Sequence, residues 1–353
     1  MKQIYIHVGP PKTGSSAIQK WLSENTQKLK ELQIYYPKHT TDSNGVSSGN
    51  LLAIYDRLSP GEYSLNQDKL SAILSDFEAG PYNIILLSSE FFFKRMEELK
   101  KAIPAAKFIA YLRDPIEKRE SLYNQGIKRH SYTHLYNKQQ KNGIPDLRIL
   151  DIYINTFGKE DLDLRAYGED YFQNKSIISD LLSSLGIEQE IKIKNTNRSY
   201  NFEALELKRW MNNLELENLE HSIDLALQSY DLGAKNYSLT TRKEYLKQRA
   251  QDQKILFKFV EKNDYQHLEK FIAELTEKKL RTFIKQPISA KDLKGVIAYL
   301  LKTIGKNQKQ LLNIINASTH KKSEIAKIFN ENKKEQHLAI KLYFLIKNIF
   351  NKK

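Results

Sequence analysis

The sequence contains no cysteine, which excludes disulfide bonds, thiolate metal sites and thiol nucleophiles. This absence fits a reducing compartment. Long hydrophobic runs are missing too: the densest, "IILL" and "FFF", are far shorter than the roughly 20 apolar residues that a membrane helix needs. The opening "MKQIYIHVG" lacks the apolar stretch of a signal peptide. We therefore expect a soluble, cytoplasmic protein.

Glycine and proline are scarce in the second half of the chain, where residues 201–353 contain three glycines and one proline. The same region is rich in Lys, Glu and Leu at helical spacing. The 353 residues suffice for one large domain or two modest ones. We predict a core domain over residues 1–200 and an all-helical extension over residues 201–353, close to the acceptor or to a membrane.

The chain is strongly basic, with a formal net charge of +14. Such a charge favours anionic partners, among them nucleic acid, anionic lipid, acidic glycan and nucleotide phosphates. The alternative is a lysine-rich surface that is merely solvated. Composition alone leaves these alternatives open.

The last 34 residues carry a net charge of +6. Within them apolar residues recur at helical spacing, at Leu338, Leu342, Leu345 and Ile349. A basic amphipathic helix of this kind can lie on the anionic inner face of a cell membrane. A terminal helix packed on the domain, with solvated lysines, is the other interpretation.

Strand patterns alternate with helical patterns in the first 200 residues. The strands are predicted at "QIYIHV", "YNIILLSSEFFF", "KFIAYL" and "EDLDLRAYG", and His7 in the first strand is expected to be a core residue. The alternation predicts an α/β fold with a parallel β-sheet flanked by helices. Ligands bind beyond the carboxyl ends of such strands. Three of these ends carry polar clusters, at residues 9–16, 88–90 and 113–114.

The loop "GPPKTGSS" has the glycine spacing of a phosphate-binding loop but a displaced lysine. Gly9 and Gly14 are separated as in the Walker A pattern, yet Ser15 stands where its lysine belongs and Lys12 lies inside the loop. The helix that follows still offers backbone amides to an anion, with Ser15 and Ser16 at its expected N-cap. The loop therefore predicts an anion site that is poorly suited to a triphosphate with Mg²⁺.

Two motifs resemble those of sulfotransferases that use 3′-phosphoadenosine 5′-phosphosulfate (PAPS). The stretch "PKTGSS" resembles the loop that binds the 5′-phosphosulfate and joins the first strand to the first helix. The stretch "LRDPIEKRESLYNQ" resembles the second motif, in which an arginine ends a strand and a serine follows eight positions later, as Arg113 and Ser121 do. The resemblance covers roughly residues 1–200 and implies the P-loop NTPase-like fold of this family.

The resemblance also implies which residues hold the donor. Arg113 and Ser121 would bind its 3′-phosphate, while Lys12 would stabilise the leaving phosphate oxygen. The loop "NTNRSYN" lies where members of the family close over the cofactor. The expected cofactor-binding residues are Pro11, Lys12, Thr13, Gly14, Ser15, Ser16, Arg113, Ser121 and Arg198. The product would be 3′,5′-ADP, and no metal is expected, since the sequence has no cluster rich in Asp or His.

An acceptor hydroxyl must lose its proton near the transition state, which requires a base. In cytosolic members of the family a histidine follows the strand before the arginine motif; here that neighbourhood reads "SSEFFF" and contains Glu90. Glycan-modifying members commonly use a glutamate after the first helix, where this chain offers His39 and Asp42. We favour Glu90 among its apolar neighbours and take His39 as the second candidate. The alternative for Glu90 is a structural salt bridge to Lys12 or Arg113, and the alternative for His39 is a solvent-exposed residue without a catalytic role.

The expected function is transfer of a sulfuryl group from PAPS to a hydroxyl of a carbohydrate or glycolipid acceptor, as in polysaccharide biosynthesis. The carbohydrate assignment rests on the resemblance to bacterial members that open with "IHVGPPKTGSS". One alternative is a P-loop kinase or NTPase, disfavoured because no lysine follows Gly14. Another is a non-catalytic basic module that binds nucleic acid or a membrane, which leaves Arg113 and Ser121 without a role; we expect no nucleic-acid partner.

Overall fold

The computed structural model describes residues 2–38, 49–136, 143–192 and 199–332. Its strands are β1 (Gln3–His7), β2 (Ile34–Tyr35), β3 (Tyr55–Ser59), β4 (Glu62–Leu65), β5 (Ile84–Ser88), β6 (Ala106–Leu112), β7 (Leu162–Ala166), β8 (Tyr237–Ser238) and β9 (Thr282–Phe283). Its α-helices are α1 (Ser15–Glu24), α2 (Thr26–Glu31), α3 (Gln67–Ala79), α4 (Met96–Ala102), α5 (Pro115–Arg129), α6 (Pro145–Phe157), α7 (Ile177–Ser184), α8 (Phe202–Met211), α9 (Glu220–Ser229), α10 (Arg242–Asn263), α11 (Glu269–Glu274), α12 (Lys294–Ile304) and α13 (Gln308–Ala317).

The main sheet has five parallel strands in the order β2-β5-β1-β6-β7, which confirms the predicted α/β fold. The central strand β1 pairs with β5 on one side and with β6 on the other. In this register His7 lies beside both Ser88 and Ile109. Because all strands run the same way, the three polar strand ends predicted from the sequence meet at one edge of the sheet.

Both faces of the sheet are covered, as the near-continuous apolar strands require. Ile6 of β1 belongs to one buried cluster, while its neighbour Tyr5 belongs to the cluster on the other face. The Tyr5 face packs against apolar residues of α1 and α7. The Ile6 face packs against residues of several helices, among them Leu256 and Phe259 of α10.

The strand β2 and the antiparallel hairpin β3–β4 were not predicted from the sequence. The hairpin pairs Tyr55 with Leu65 and turns at Gly61, which has a positive φ of 86°. Its strands alternate weakly between buried and exposed residues. Two strands this short contain too few alternating apolar and polar residues to be recognised from the sequence.

The chain divides into two compact units that are interleaved in sequence. The first comprises the described residues of 1–119, 141–195 and 243–279, and the second those of 120–140, 196–242 and 280–353. This division differs from the single boundary near residue 200, since residues 243–279 belong with the sheet. Helical periodicity shows that α10 has an apolar face but not which surface that face covers.

The second unit is mainly helical, in agreement with the composition of its sequence. Residues of α8, α9, α12 and α13 form its core, with Leu205, Leu227, Leu300 and Leu311 buried among them. It also contains β8 and β9, two-residue strands that pair in parallel. No helix among the described residues has both the length and the apolar character to cross a bilayer. The basic amphipathic pattern from Leu338 onward lies outside the described residues.

Candidate active site at the carboxyl ends of β1, β5 and β6

The loop between β1 and α1 adopts a conformation that requires glycine at its end. Gly14 has a φ of 82° and forms the N-cap of α1 without a side-chain cap. A Cβ at Gly14 would lie 2.4 Å from Ile177 and 3.1 Å from the Tyr167 ring, so a larger residue does not fit. Thr13 Oγ1 donates to the Pro10 carbonyl at 2.6 Å, which closes the loop upon itself. The amides at the very start of α1 suit an anion, because only from Ala17 onward do the helix amides donate to the Gly14 carbonyl.

Lys12 lies within this loop, half-buried, with a left-handed φ of 70°. A non-glycine residue in this region carries backbone strain, and such strain is often found at functional sites. The neighbouring Pro11 is half-buried, while Ser16 is exposed at the start of α1. Lys12 thus lies inside the loop, before Gly14, where a Walker A lysine would follow that glycine.

Ser15 connects the loop to Glu90. It is the first residue of α1 rather than its cap, and its buried hydroxyl donates to the Glu90 carboxylate. Glu90 opens the short 3₁₀ helix Glu90–Arg95 that follows β5, and Ser89 caps this helix by accepting from the Phe91 amide at 3.2 Å. Ser15 therefore holds Glu90 at the edge of the sheet.

Arg113 at the end of β6 reaches the same loop. Its Nη1 donates to the Lys12 carbonyl at 2.7 Å, and its guanidinium lies 5.0 Å from the centroid of the Tyr167 ring. Glu117, in the first turn of α5, lies 3.6 Å from the guanidinium. Arg113 Nε is buried and has no hydrogen-bond partner among the described residues. A cation fixed in this way, with a donor still unused, suits a phosphate oxygen.

Lys118 is a further cation near this edge that the motif comparison did not single out. It is buried and pairs with Asp146 of α6. Burial lowers its pKa, Asp146 opposes that shift, and Arg113 and Glu90 are close enough to contribute to it. Tyr167 was also missed, because its relation to Arg113 depends on β7 lying beside β6.

His7 is a buried residue beneath the loop, as the sequence predicted. Its Nδ1 lies 2.8 Å from Ser88 Oγ, and its ring packs against Tyr111 at 68° with the centroids 6.0 Å apart. A Cβ at Gly9 would lie 3.3 Å from His7 Cε1 and 2.9 Å from Ser15 Cβ, so His7 and the loop are in close contact. Burial lowers the pKa of His7 to about 4.

The lowered pKa of His7 predicts a loss of stability in mild acid. Between its ordinary value of 6.5 and about 4 the unfolded chain binds a proton that the folded chain does not. The free energy of unfolding should therefore fall by about 3 kcal/mol from this residue as pH drops through that range. Denaturant unfolding of His7→Gln at a series of pH values should lack this component. The exposed His221→Gln is the control, and an unchanged pH slope in His7→Gln would contradict the assignment.

The remaining predicted residues are not brought into this cluster by the described contacts. Ser121 lies half-buried on α5. His39 and Arg198 lie outside the described residues. A groove of about 720 Å³ in the same unit includes Lys94 and Arg95 in its lining, and none of its lining residues is a predicted site residue.

Comparison with known proteins yields a distant structural similarity. No protein-family model matches the chain, and no curated protein matches it. The crystal structure of a sulfotransferase from Alicyclobacillus acidocaldarius is similar over 63% of this chain and 96% of that chain, with 17% identity and a TM-score of 0.34. At this TM-score the similarity carries no argument, so any functional assignment rests on the residues themselves.

Proposed function

We propose that the chain is a sulfotransferase that moves a sulfuryl group from PAPS to a hydroxyl of a carbohydrate acceptor. The observation that carries this proposal is the hydrogen bond of 2.7 Å from Arg113 to the Lys12 carbonyl. It joins the two motifs that resemble the sulfotransferase pair, which are about a hundred residues apart in sequence. One doubly phosphorylated ligand can contact both.

Several features of the loop and of Arg113 fit such a donor. Gly14 leads the loop into α1, and the amides at the start of this helix are suited to a sulfonate or phosphate. Arg113 Nε is a buried donor without a partner among the described residues, which a 3′-phosphate oxygen would satisfy. Ser121 and Arg198 are proposed as additional contacts of the donor.

In the proposed reaction the acceptor oxygen forms a bond to sulfur while the bond from sulfur to the phosphate oxygen breaks. Glu90 takes the acceptor proton, and its hydrogen bond from Ser15 orients the carboxylate. Lys12 stabilises the negative charge that develops on the departing 5′-phosphate oxygen. A sulfuryl group carries less charge than a phosphoryl group, so the lysine and the amide dipoles suffice for this step.

Thermal unfolding with nucleotides tests the proposal directly. We expect 3′,5′-ADP without metal to stabilise the protein by about 2.7 kcal/mol at a hundredfold excess over its Kd. ATP with Mg²⁺ should give a much smaller rise of the unfolding midpoint. Stabilisation by ATP with Mg²⁺ alone would favour a kinase or NTPase, and stabilisation by neither nucleotide would favour a non-catalytic module.

Arg113→Ala should weaken binding of 3′,5′-ADP by about ten- to a hundredfold, because a charged hydrogen-bond partner of the 3′-phosphate is lost. Arg113→Lys should recover only part of this affinity, since an ammonium cannot reproduce the planar fork. Titration calorimetry measures both variants. Arg148→Ala, an exposed position on α6, is the matched control. Wild-type affinity in Arg113→Ala would exclude Arg113 from the donor site.

The acceptor class and the cellular location are proposed from the charge of the chain. The net charge of +14 suits an anionic donor and an acidic glycan or glycolipid acceptor. A cytoplasmic enzyme with a basic C-terminal helix on the inner face of the membrane could reach lipid-linked sugars. Transfer of labelled sulfate from PAPS to a panel of free and lipid-linked glycans would test the acceptor class.

A further inference from the structure

Asp114 fixes the turn that directly follows Arg113. Its side chain is 1% exposed, and its Oδ1 accepts from the amides of Ile116 at 3.0 Å and Glu117 at 3.4 Å. These contacts close the first turn of α5, as an N-cap aspartate does. The direction in which β6 ends, and with it the position of the Arg113 side chain, depends on this carboxylate.

The partner of Asp114 is Arg249, which comes from α10. Arg249 Nη2 donates to Asp114 Oδ2 at 2.8 Å, and both side chains are almost fully buried. The Arg249 guanidinium lies 4.9 Å from the centroid of the Tyr245 ring and also donates to its hydroxyl. Burial by itself raises the pKa of Asp114, but the hydrogen bond and charge of Arg249 outweigh burial and lower it.

The stability of the fold does not by itself account for the ion pair between Asp114 and Arg249. Arg249 Nε and Nη1 are buried without hydrogen-bond partners among the described residues, which leaves two donors desolvated and unpaired. Buried ion pairs often stabilise a fold no better than apolar residues of similar volume. The ion pair does fix the direction of the Asp114 carboxylate, which is 135 residues away from Arg249 in sequence.

Lys278 adds to the same network from the exposed side. Its Nζ lies 2.8 Å from Glu117 Oε1 and 3.5 Å from Asp114 Oδ2. Glu117 in turn lies 3.6 Å from Arg113. Lys278 therefore offsets a carboxylate that would otherwise neutralise Arg113, so the positive charge of Arg113 remains available to an anion.

We propose that Arg249 is a positioning residue of the donor site: it holds Asp114, and through Asp114 it sets the turn that presents Arg113 to the 3′-phosphate. The inference rests on the proposed function. It assigns to residues 243–279, which the sequence suggested were a separate extension, a role in nucleotide recognition. Arg249 itself does not touch the ligand.

The test compares two nucleotides that differ only in the 3′-phosphate. Calorimetry gives the ratio of the Kd for 5′-AMP to that for 3′,5′-ADP in the wild type, Arg249→Lys, Arg249→Met and Arg113→Ala. We expect this ratio to fall by about ten- to a hundredfold in the Arg249 variants, the usual cost of removing a group that orients a binding side chain. The Kd for 5′-AMP should change little. In an Arg113→Ala background, Arg249→Lys should lower the ratio no further, because the two residues act through one contact.

Arg119→Met is the matched control. Arg119 makes a similar ion pair with Asp252 of α10, with one contact of 2.5 Å, and its described side-chain hydrogen bonds go to α10 and not to Asp114. The Arg119→Met variant should have a lower unfolding midpoint but the wild-type ratio of the two Kd values.

Loss of its buried partner Asp114 can prevent Arg249→Met from folding, in which case Arg249→Lys decides the outcome. A folded Arg249→Lys with the wild-type ratio overturns the inference, whereas a wild type that does not distinguish the two nucleotides overturns the proposed function with it.

Discussion

Lys12→Ala is expected to slow sulfuryl transfer by about a hundred- to a thousandfold, which corresponds to about 3–4 kcal/mol of the activation barrier. The reason is that the ammonium acts where charge develops, on the phosphate oxygen that leaves sulfur. The ground state carries less charge on this oxygen, so binding of 3′,5′-ADP should weaken less than turnover. Formation of 3′,5′-ADP from PAPS in the presence of a glycan acceptor measures the rate.

The backbone of Lys12 requires its own control. Its φ of 70° is strained for any residue other than glycine, so Lys12→Gly separates loss of the ammonium from a change in strain. Lys12→Gly should be as slow as Lys12→Ala, because both lack the cation. Lys20→Ala removes an exposed lysine from α1 and should leave the rate unchanged. Near-normal turnover in both Lys12 variants would remove Lys12 from the mechanism.

Glu90→Gln is expected to lower the rate by about a hundred- to ten-thousandfold, the usual contribution of a general base. The amide retains the shape of the side chain and can still accept the hydrogen bond from Ser15, so the loop should keep its conformation. Binding of 3′,5′-ADP should be nearly unchanged, because the base acts on the acceptor. The rate and the nucleotide affinity are measured as for Lys12.

Two comparisons sharpen the assignment of Glu90. Glu97→Gln changes a half-buried glutamate of α4 and should not affect the rate. Ser15→Ala should lower the rate less than Glu90→Gln does, since it removes only the hydrogen bond that orients the carboxylate. Full activity in Glu90→Gln would show that another group takes the proton. His39→Asn would then be the next variant to measure.

Much of the sheet could be predicted because its signals are local. The strands β1, β5, β6 and β7 appear where the apolar runs predicted them, although "EFFF", taken with the second strand, forms the 3₁₀ helix Glu90–Arg95. Gly186, with a φ of 77°, follows α7 as expected of a helix stop. The N-cap of α1 was predicted at Ser15 or Ser16, but Gly14 takes this position. The Ser15 hydroxyl donates to Glu90 instead of to the helix amides.

The partners of the charged residues could not be predicted in the same way. The sequence places Asp114 beside Arg113, yet Asp114 binds Arg249 and Arg113 lies near Glu117. Each charged side chain pairs with the oppositely charged side chain that helix packing places next to it. The separation of two residues in the sequence does not give the distance between them in the fold.

By itself, the sequence determined the parallel α/β core, the edge of the sheet where a site would form, and the lysine placed before the second glycine of the loop. These follow from side-chain periodicity and glycine spacing, which act over a few residues. Only the tertiary structure decided that Ser15 holds Glu90, that Arg113 reaches the Lys12 carbonyl, and that α10 supplies Arg249 to the turn after β6. An apolar face must be buried, but the surface that buries it, and the charges it brings along, are set by the packing of the whole unit.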